Sequence, residues 1–299
     1  MQTFNLLTYE TADSTRPGVS VGSKLYDLNE LLGSTEYPTT LSVVQSWDKA
    51  AKQILDRLEL SPTPLGELND FVLRAPIRPQ AVYCVGANYR AHVKNMEAAN
   101  KLDVEVLDGT LTPWFFLKTS HTITGPGDVV NPCTYLDWEG ELAAIIGNPA
   151  RNVEAADALK YVAGYTVSND LSARDFMFRD KSDPQSPFYY DWVSQKNFDQ
   201  SCAIGPWIVP ATAVPDPQKL SLVTTVNGKV RQNATTSDMI YTLAQQISFL
   251  SNRFTLYPGD LILTGTPNGV GMETGERLAT SDIVTVAIDG IGELTNTIR

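Results

Sequence analysis

Asp137-Trp138-Glu139-Gly140-Glu141-Leu142-Ala143-Ala144-Ile145-Ile146 joins an acidic start to an unbroken apolar run. In a strand, side chains at i and i+2 share a face. Glu139 and Glu141 then point the same way, and Asp137 joins them. Burying such carboxylates uncompensated costs on the order of several kcal/mol. A divalent cation removes that cost, and hard carboxylate oxygens suit Mg²⁺, Mn²⁺ or Ca²⁺. The plain alternative is an edge strand with its acidic face in water. The stretch 161–170, Tyr-Val-Ala-Gly-Tyr-Thr-Val-Ser-Asn-Asp, reads as a strand that ends on Asp170. A strand end is a natural place for a third ligand. Asp170 could equally cap the turn before Leu171-Ser172-Ala173-Arg174.

Outward from this core the chain reads as strand-rich. Residues 81–85, 142–146, 256–263, 283–288 and 294–298 are apolar runs bounded by turn residues. Residues 222–226 and 229–232 flank Asn227-Gly228, the strongest short hairpin signal. Helices are expected over 42–58, 154–160 and 237–254. The first carries Val43, Val44, Trp47, Ala50, Ala51, Ile54, Leu55 and Leu58 on one face, and the last carries Ile240, Leu243, Ala244, Ile247 and Leu250. Short strands over 4–9, 18–21 and 24–28 open the chain. Pro76 and Pro79 mark a linker, so residues 1–75 are expected to form a small β-rich unit and residues 76–299 a second, larger domain. The fold class is α+β.

The chain has 299 residues, 42% of them hydrophobic and 19% charged, enough to bury a core. A net charge of −11 argues against nucleic acid as a partner. An acidic protein that binds acidic substrates must concentrate positive charge locally. The N-terminus has no basic region followed by an apolar one, and no run of 18 apolar residues occurs, so a cytoplasmic protein with no membrane span is expected. Cys84, Cys133 and Cys202 match no C-x-x-C motif and read as buried thiols.

Several short motifs follow one another in a telling order: Val85-Gly86-Ala87-Asn88-Tyr89-Arg90-Ala91-His92, Pro113-Trp114-Phe115-Phe116-Leu117-Lys118, Trp138-Glu139-Gly140-Glu141-Leu142, the stretch from Gly164 through Asp170 to Asp175, Lys196-Asn197-Phe198-Asp199, Val226-Asn227-Gly228, Pro258-Gly259-Asp260, and Thr264-Gly265-Thr266-Pro267-Asn268-Gly269-Val270-Gly271. Each is weak alone. Together they resemble the fumarylacetoacetate hydrolase family over residues 76–298. The resemblance implies a mixed β-roll, a homodimer and a divalent metal, Mg²⁺ or else Mn²⁺ or Ca²⁺, on Glu139, Glu141 and Asp170. It implies a catalytic His92 and a site lysine at Lys196. Substrate contacts are expected from Tyr89, Arg174 and the Thr266 loop.

Three departures stand out. The family commonly carries a Glu three residues after the His; here that position is Asn95, and Glu97 is the candidate replacement. The segment 93–112 is long. Gln195 and Asn197 replace the Gly and Ser that flank the family's lysine. Lys196 is expected on a strand leading into Gly205-Pro206-Trp207, and His121 is read as structural or solvent-facing. The loop 264–271 lacks the G-K-[ST] ending of a nucleotide cradle, so its N–H groups and Thr266 suit a carboxylate. The implied activity is hydrolysis of a C–C bond in a small 1,3-dicarbonyl or 2-oxo acid through an enolate, with His92 as general base and Lys196 neutralising charge. Decarboxylation of an oxaloacetate-type acid and keto–enol isomerisation are alternatives on the same scaffold. A non-catalytic relative that binds a metal or oxo acid is a third.

Overall fold

The apolar run forms the strand Gly140–Ile146, and every one of its residues is buried. Burial on both faces explains why the run does not alternate. The computed structural model describes residues 3–100, 112–131 and 133–299, with 96–100 described by backbone alone. On one side the strand pairs antiparallel with Val162–Asp170 (Leu142 opposite Val167) and on the other with Leu261–Leu263 (Ala143 opposite Leu263). Beyond Leu261–Leu263 lie Val82–Gly86, which is parallel, and Trp114–Lys118. Beyond Val162–Asp170 lies Cys202–Pro210, and then the N-terminal strands Asn5–Glu10, Thr15–Val21 and Lys24–Asp27. The result is one mixed twelve-stranded sheet, which runs from the N-terminal strands into the rest of the chain through the pairing of Leu6 with Ile208.

A second sheet of five strands contains Ser221–Val226, Lys229–Thr235, Ile283–Ile288, Gly292–Ile298 and Val129–Val130. Its Leu222, Val286 and Leu294 pack with Leu142 and Ala144 of the large sheet and with Leu243, Ile247 and Leu250 of the helix Leu243–Ser251. The architecture is α+β with a β-rich core. The hairpin turns through Asn227 and Gly228 at φ of 51° and 76°, the left-handed pair that a two-residue turn of this twist requires. Among the described residues, no helix is long and apolar enough to cross a membrane.

The helix expected over 42–58 is two helices, Thr40–Val44 and Trp47–Leu58. Ser46 breaks them by leaving the helical region. Leu55 is more than a third exposed, because the buried stripe is the narrow i, i+4 row Ala50, Ile54, Leu58. The helix expected over 237–254 shortens to Leu243–Ser251, capped by Thr242 and Gln245. Upstream, the N–H groups of Ile240 and Tyr241 donate to the carbonyl and side chain of Asn88 instead, a tertiary claim that outbids the local pattern. Within 256–263 only Leu261–Leu263 is strand, since the Asp260 carboxylate accepts from the Tyr257 N–H and closes a turn. Residues 155–161 form a 3₁₀ helix. Cys84 and Cys202 are buried, whereas Cys133 is only partly so, at the margin of a cluster around Trp138.

Candidate active site

The antiparallel pairing sets Gly140 opposite Asn169 and Glu141 opposite Ser168, so Glu139 and Asp170 meet at the strand ends. The Asp170 N–H donates to the Glu139 carbonyl at 2.8 Å, and the Glu139 N–H donates to Asn169 Oδ1 at 2.9 Å. Carboxylate oxygens of Glu139, Glu141 and Asp170 all lie within 4.8 Å of one another, and all three residues are buried. Gly140 between the two glutamates lies against the second sheet. A Cβ there would stand 2.2 Å from Thr224 Oγ1 and 3.0 Å from Val286 Cγ1. Gln232 of that sheet accepts from the Gly140 N–H at 3.0 Å and donates to Thr266 Oγ1 and the Pro267 carbonyl, each at 2.8 Å. The Thr266 hydroxyl in turn donates to the Gly140 carbonyl at 3.0 Å. One buried amide therefore ties the segment that carries Glu139 and Glu141 to the glycine-rich loop.

Asp137 does not join the triad. The chain leaves the strand between Asp137 and Gly140, so the alternation fails there. The Asp137 carboxylate instead accepts from the N–H groups of Gly271 and Met272 and from Arg174 Nε at 2.9 Å.

Three cations surround the carboxylates. Lys196 Nζ lies 2.7 Å from Glu139 Oε2 and 2.8 Å from Asp170 Oδ2. It projects from the short helix Trp192–Lys196, not from a strand, because Asp191 caps a helical turn there. Arg174 bonds Glu139 as well as Asp137. Lys118, at the end of an otherwise apolar strand, places Nζ 2.5 Å from Asp170 Oδ1. Among the described residues, Glu141 alone of the triad has no cationic partner; its carboxylate accepts only the Gly265 N–H, at 2.7 Å. Burial raises the Glu139 carboxyl, but Lys196 and Arg174 outweigh it and hold the group at about 2. Burial, followed by Asp170 and Glu139, pushes Glu141 well above its ordinary value. Three hard oxygens converge in a buried place, one of them from a carboxylate with no ion-pair partner among the described residues. This donor set fits a hard divalent cation.

His92 lies on the helix Arg90–Asn100, and its Nδ1 shares a hydrogen bond with Glu273 Oε1. Glu273 Oε2 also accepts from Asn95 Nδ2 at 2.8 Å and from the Gly269 N–H at 2.9 Å. Burial raises the Glu273 carboxyl, yet these donors, His92 foremost, bring it below its ordinary value. The expected replacement, Glu97, has a side chain outside the described residues. Asn95 holds the acid that serves His92 rather than being that acid.

His92, Glu139, Glu141, Arg174, Lys196 and Thr266 line one cavity of about 90 Å³. Tyr89 does not line it: that residue is buried, its hydroxyl has no hydrogen-bond partner among the described residues, and its backbone bridges to Met239. His121 is exposed. Sequence reasoning assigned no role to Lys118, Gln232 or Glu273. A lysine closing an aromatic strand was the available signal for the first. Nothing local marks the other two.

The family model described as fumarylacetoacetate (FAA) hydrolase C-terminal matches residues 81–299. The chain belongs to the fumarylacetoacetate hydrolase family. A fumarylacetoacetate hydrolase domain-containing protein 2 homolog of Dictyostelium discoideum is 39% identical over 76% of this chain and 74% of its own. Oxaloacetate tautomerase YisK of Bacillus subtilis is 34% identical over 92% and 89%. A crystal structure of maleylpyruvate hydrolase from Sphingobium sp. SYK-6, in complex with manganese(II) and pyruvate, superposes with a TM-score of 0.77 at 26% identity, covering 98% of each chain. Enzymes of this fumarylacetoacetate hydrolase fold thus include a tautomerase and a hydrolase.

Proposed function

We propose that this chain is a divalent-cation-dependent enzyme that moves a proton at the carbon beside the carbonyl of a small 2-oxo acid, interconverting its keto and enol forms. The observation that carries this reading is His92, hydrogen-bonded to Glu273, lining the same cavity as Glu139 and Glu141. Glu139, Glu141 and Asp170 would hold the cation, with Mg²⁺ and Mn²⁺ the ions their oxygens suit. When bound, that ion supplies Lewis acidity toward the substrate carbonyl.

The chain's own groups perform the remaining work. With Nδ1 engaged by Glu273, Nε2 of His92 is the nitrogen left to accept and return the proton, and the carboxylate stabilises the imidazolium that forms. Lys196 and Arg174 concentrate positive charge beside the reacting carbonyl. Trp114, Phe116 and Trp192, which also line this cavity, keep bulk water from that charge. The resemblance to oxaloacetate tautomerase YisK supports an oxaloacetate-type substrate.

Hydrolysis of a C–C bond is the second reading, supported by the likeness to maleylpyruvate hydrolase. The same His92 would then deprotonate a water, hydroxide would add to the distal carbonyl, and the C–C bond would break with its electron pair passing to the oxo-acid fragment, which takes the proton back from His92.

The test is a panel with Mg²⁺ or Mn²⁺: enol decay of oxaloacetate by ultraviolet absorbance, CO₂ release from oxaloacetate, and cleavage of acylpyruvates. Faster enol decay supports the tautomerase and acylpyruvate cleavage the hydrolase. CO₂ release would point to a decarboxylase. Silence on all three, or full activity in a variant carrying both Glu139→Gln and Glu141→Gln, ends the enzymatic reading.

A further inference from the structure

Above the charged floor, the cavity is walled by Trp114, Phe116, Met177, Trp192 and Met272. The wall is assembled from separate elements. Trp114 and Phe116 stand on the strand Trp114–Lys118, and Trp192 opens the helix that ends in Lys196. The Trp114 and Trp192 ring centroids are 4.6 Å apart. Phe116 stacks on Trp192 at 5.8 Å, and Tyr190 stacks on its ring at 5.9 Å with only 13° between the planes.

The position of Trp114 is fixed by the absence of a side chain opposite. Gly86 is its register partner, and a Cβ at Gly86 would lie 2.0 Å from Trp114 Cζ3. The indole therefore rests flat on the glycine backbone and leans over the cavity. Wall and floor are coupled as well: Lys196 Nζ, bonded to Glu139 and Asp170, sits 4.9 Å from the centre of the Phe116 ring.

Ligand cavities for drug-sized molecules hold roughly 300–1,000 Å³. This one holds about 90 Å³. We infer that Trp114 and Trp192 are specificity-determining residues that restrict the enzyme to compact oxo acids, and that they exclude acids carrying a long chain beyond the reacting carbonyl. The inference rests on the oxo-acid reading above and narrows it to a substrate class. A long chain would have to displace Trp114, packed against Gly86 and Trp192, or Trp192, on which Phe116 and Tyr190 stack, whereas a small acid fits within the cavity. Each misfit methylene in such a site costs about tenfold or more in kcat/KM.

The experiment compares acetylpyruvate with hexanoylpyruvate on the Mn²⁺-loaded wild type, Trp114→Ala, Trp114→Phe and Trp192→Ala. The wild type is expected to favour the short acid by more than about tenfold. Trp114→Ala should shrink that ratio by about tenfold, mostly through KM for the long acid, with Trp114→Phe between the two. Trp192→Ala is the second probe should Trp114→Ala fold poorly. Mn²⁺ affinity, measured by calorimetry, should stay within about twofold, since the wall supplies no ligand oxygen. Equal rates for both acids in the wild type, or a ratio unmoved by both alanine variants, overturns the inference while leaving the oxo-acid reading standing. If neither acid is turned over, the hydrolase reading fails while the tautomerase reading stands, and the wall is judged by Mn²⁺-dependent binding of pyruvate against 2-oxooctanoate. A wild-type preference for pyruvate that Trp114→Ala removes upholds it; equal binding overturns it.

Discussion

Glu273 holds Nδ1 of His92 across 181 residues of sequence, and Asn95, one helical turn beyond His92, donates to the same carboxylate. The hydrogen-bonded pair is thus assembled from two elements: the histidine comes from the helix Arg90–Asn100 and the acid from Gly271–Thr274. Asp137 accepts from the first N–H groups of the second helix, so one acidic residue beside the metal triad also positions the other half of the pair.

Glu273→Gln should lower kcat by about 10²-fold, in the range general bases contribute. Cation affinity should change little, because Glu273 is not among the converging ligand oxygens. The alkaline and acid limbs of the pH–rate profile should move as well. Steady-state kinetics over pH 5–9 with Mn²⁺ titrations would check this, and wild-type kcat in the variant would rule out the assigned partnership.

Glu141→Gln should have effects of opposite sign in the two states of the protein. Without cation, at a pH high enough to ionise Glu141, it removes a buried charge that has no ion-pair partner among the described residues, so the variant should be more stable there by about 1–3 kcal/mol. With Mn²⁺, the wild type should gain thermal stability and the variant should not. Unfolding curves in EDTA and in Mn²⁺ separate the two. A less stable variant in EDTA would mean that Glu141 is compensated by something other than a cation.

Stability should depend on pH through the same pair of glutamates. The raised Glu141 carboxyl contributes stability that is complete below its ordinary 4.5 and is lost as pH rises through its folded value. The lowered Glu139 carboxyl contributes stability present above 4.5 and lost as pH falls toward about 2. Cation-free protein should therefore lose melting temperature on the alkaline side, and saturating Mn²⁺ should abolish that loss, since binding requires the deprotonated carboxylate. Melting temperatures unaffected by pH from 5 to 9 in EDTA would contradict this.

Gln232→Ala should cost about 3 kcal/mol, because it leaves the buried Gly140 N–H without an acceptor and opens a cavity. It should also weaken Mn²⁺ binding and raise KM, as Gly140 lies between two ligands and Thr266 lines the cavity. Calorimetry and chemical denaturation together test this. Destabilisation with unchanged Mn²⁺ affinity would reduce Gln232 to a structural role.

Gly140→Ala should be among the most damaging single changes, on the order of 3–5 kcal/mol, since its methyl would meet Thr224 Oγ1 at 2.2 Å. Soluble yield and melting temperature are the measurements. Thr224→Ser keeps the clashing hydroxyl and should not rescue it, whereas Thr224→Gly should recover part of the loss.

Elements set by local chemistry were legible in the chain. The buried strand around Ala143 and Ala144 and the Asn227-Gly228 hairpin follow from an apolar run and turn preference, which act over a few residues, whereas the grouping of Glu139, Glu141 and Asp170 was legible only through the motif order of the family. The errors fell where a distant group competes with the local pattern. Asn88 takes the backbone donors of Ile240 and Tyr241 and shortens a helix, and the N-terminus of Gly271–Thr274 takes the carboxylate of Asp137.

The sequence alone determined the strand core, which depends on residue type and short spacing, and the family, which its ordered series of motifs carries. Only the tertiary structure decided that Glu273 serves His92, that Lys118 joins Lys196 on Asp170, and that Gln232 spans two sheets. Such pairings are contacts between side chains far apart in the chain, and only packing the two sheets against each other sets their distances.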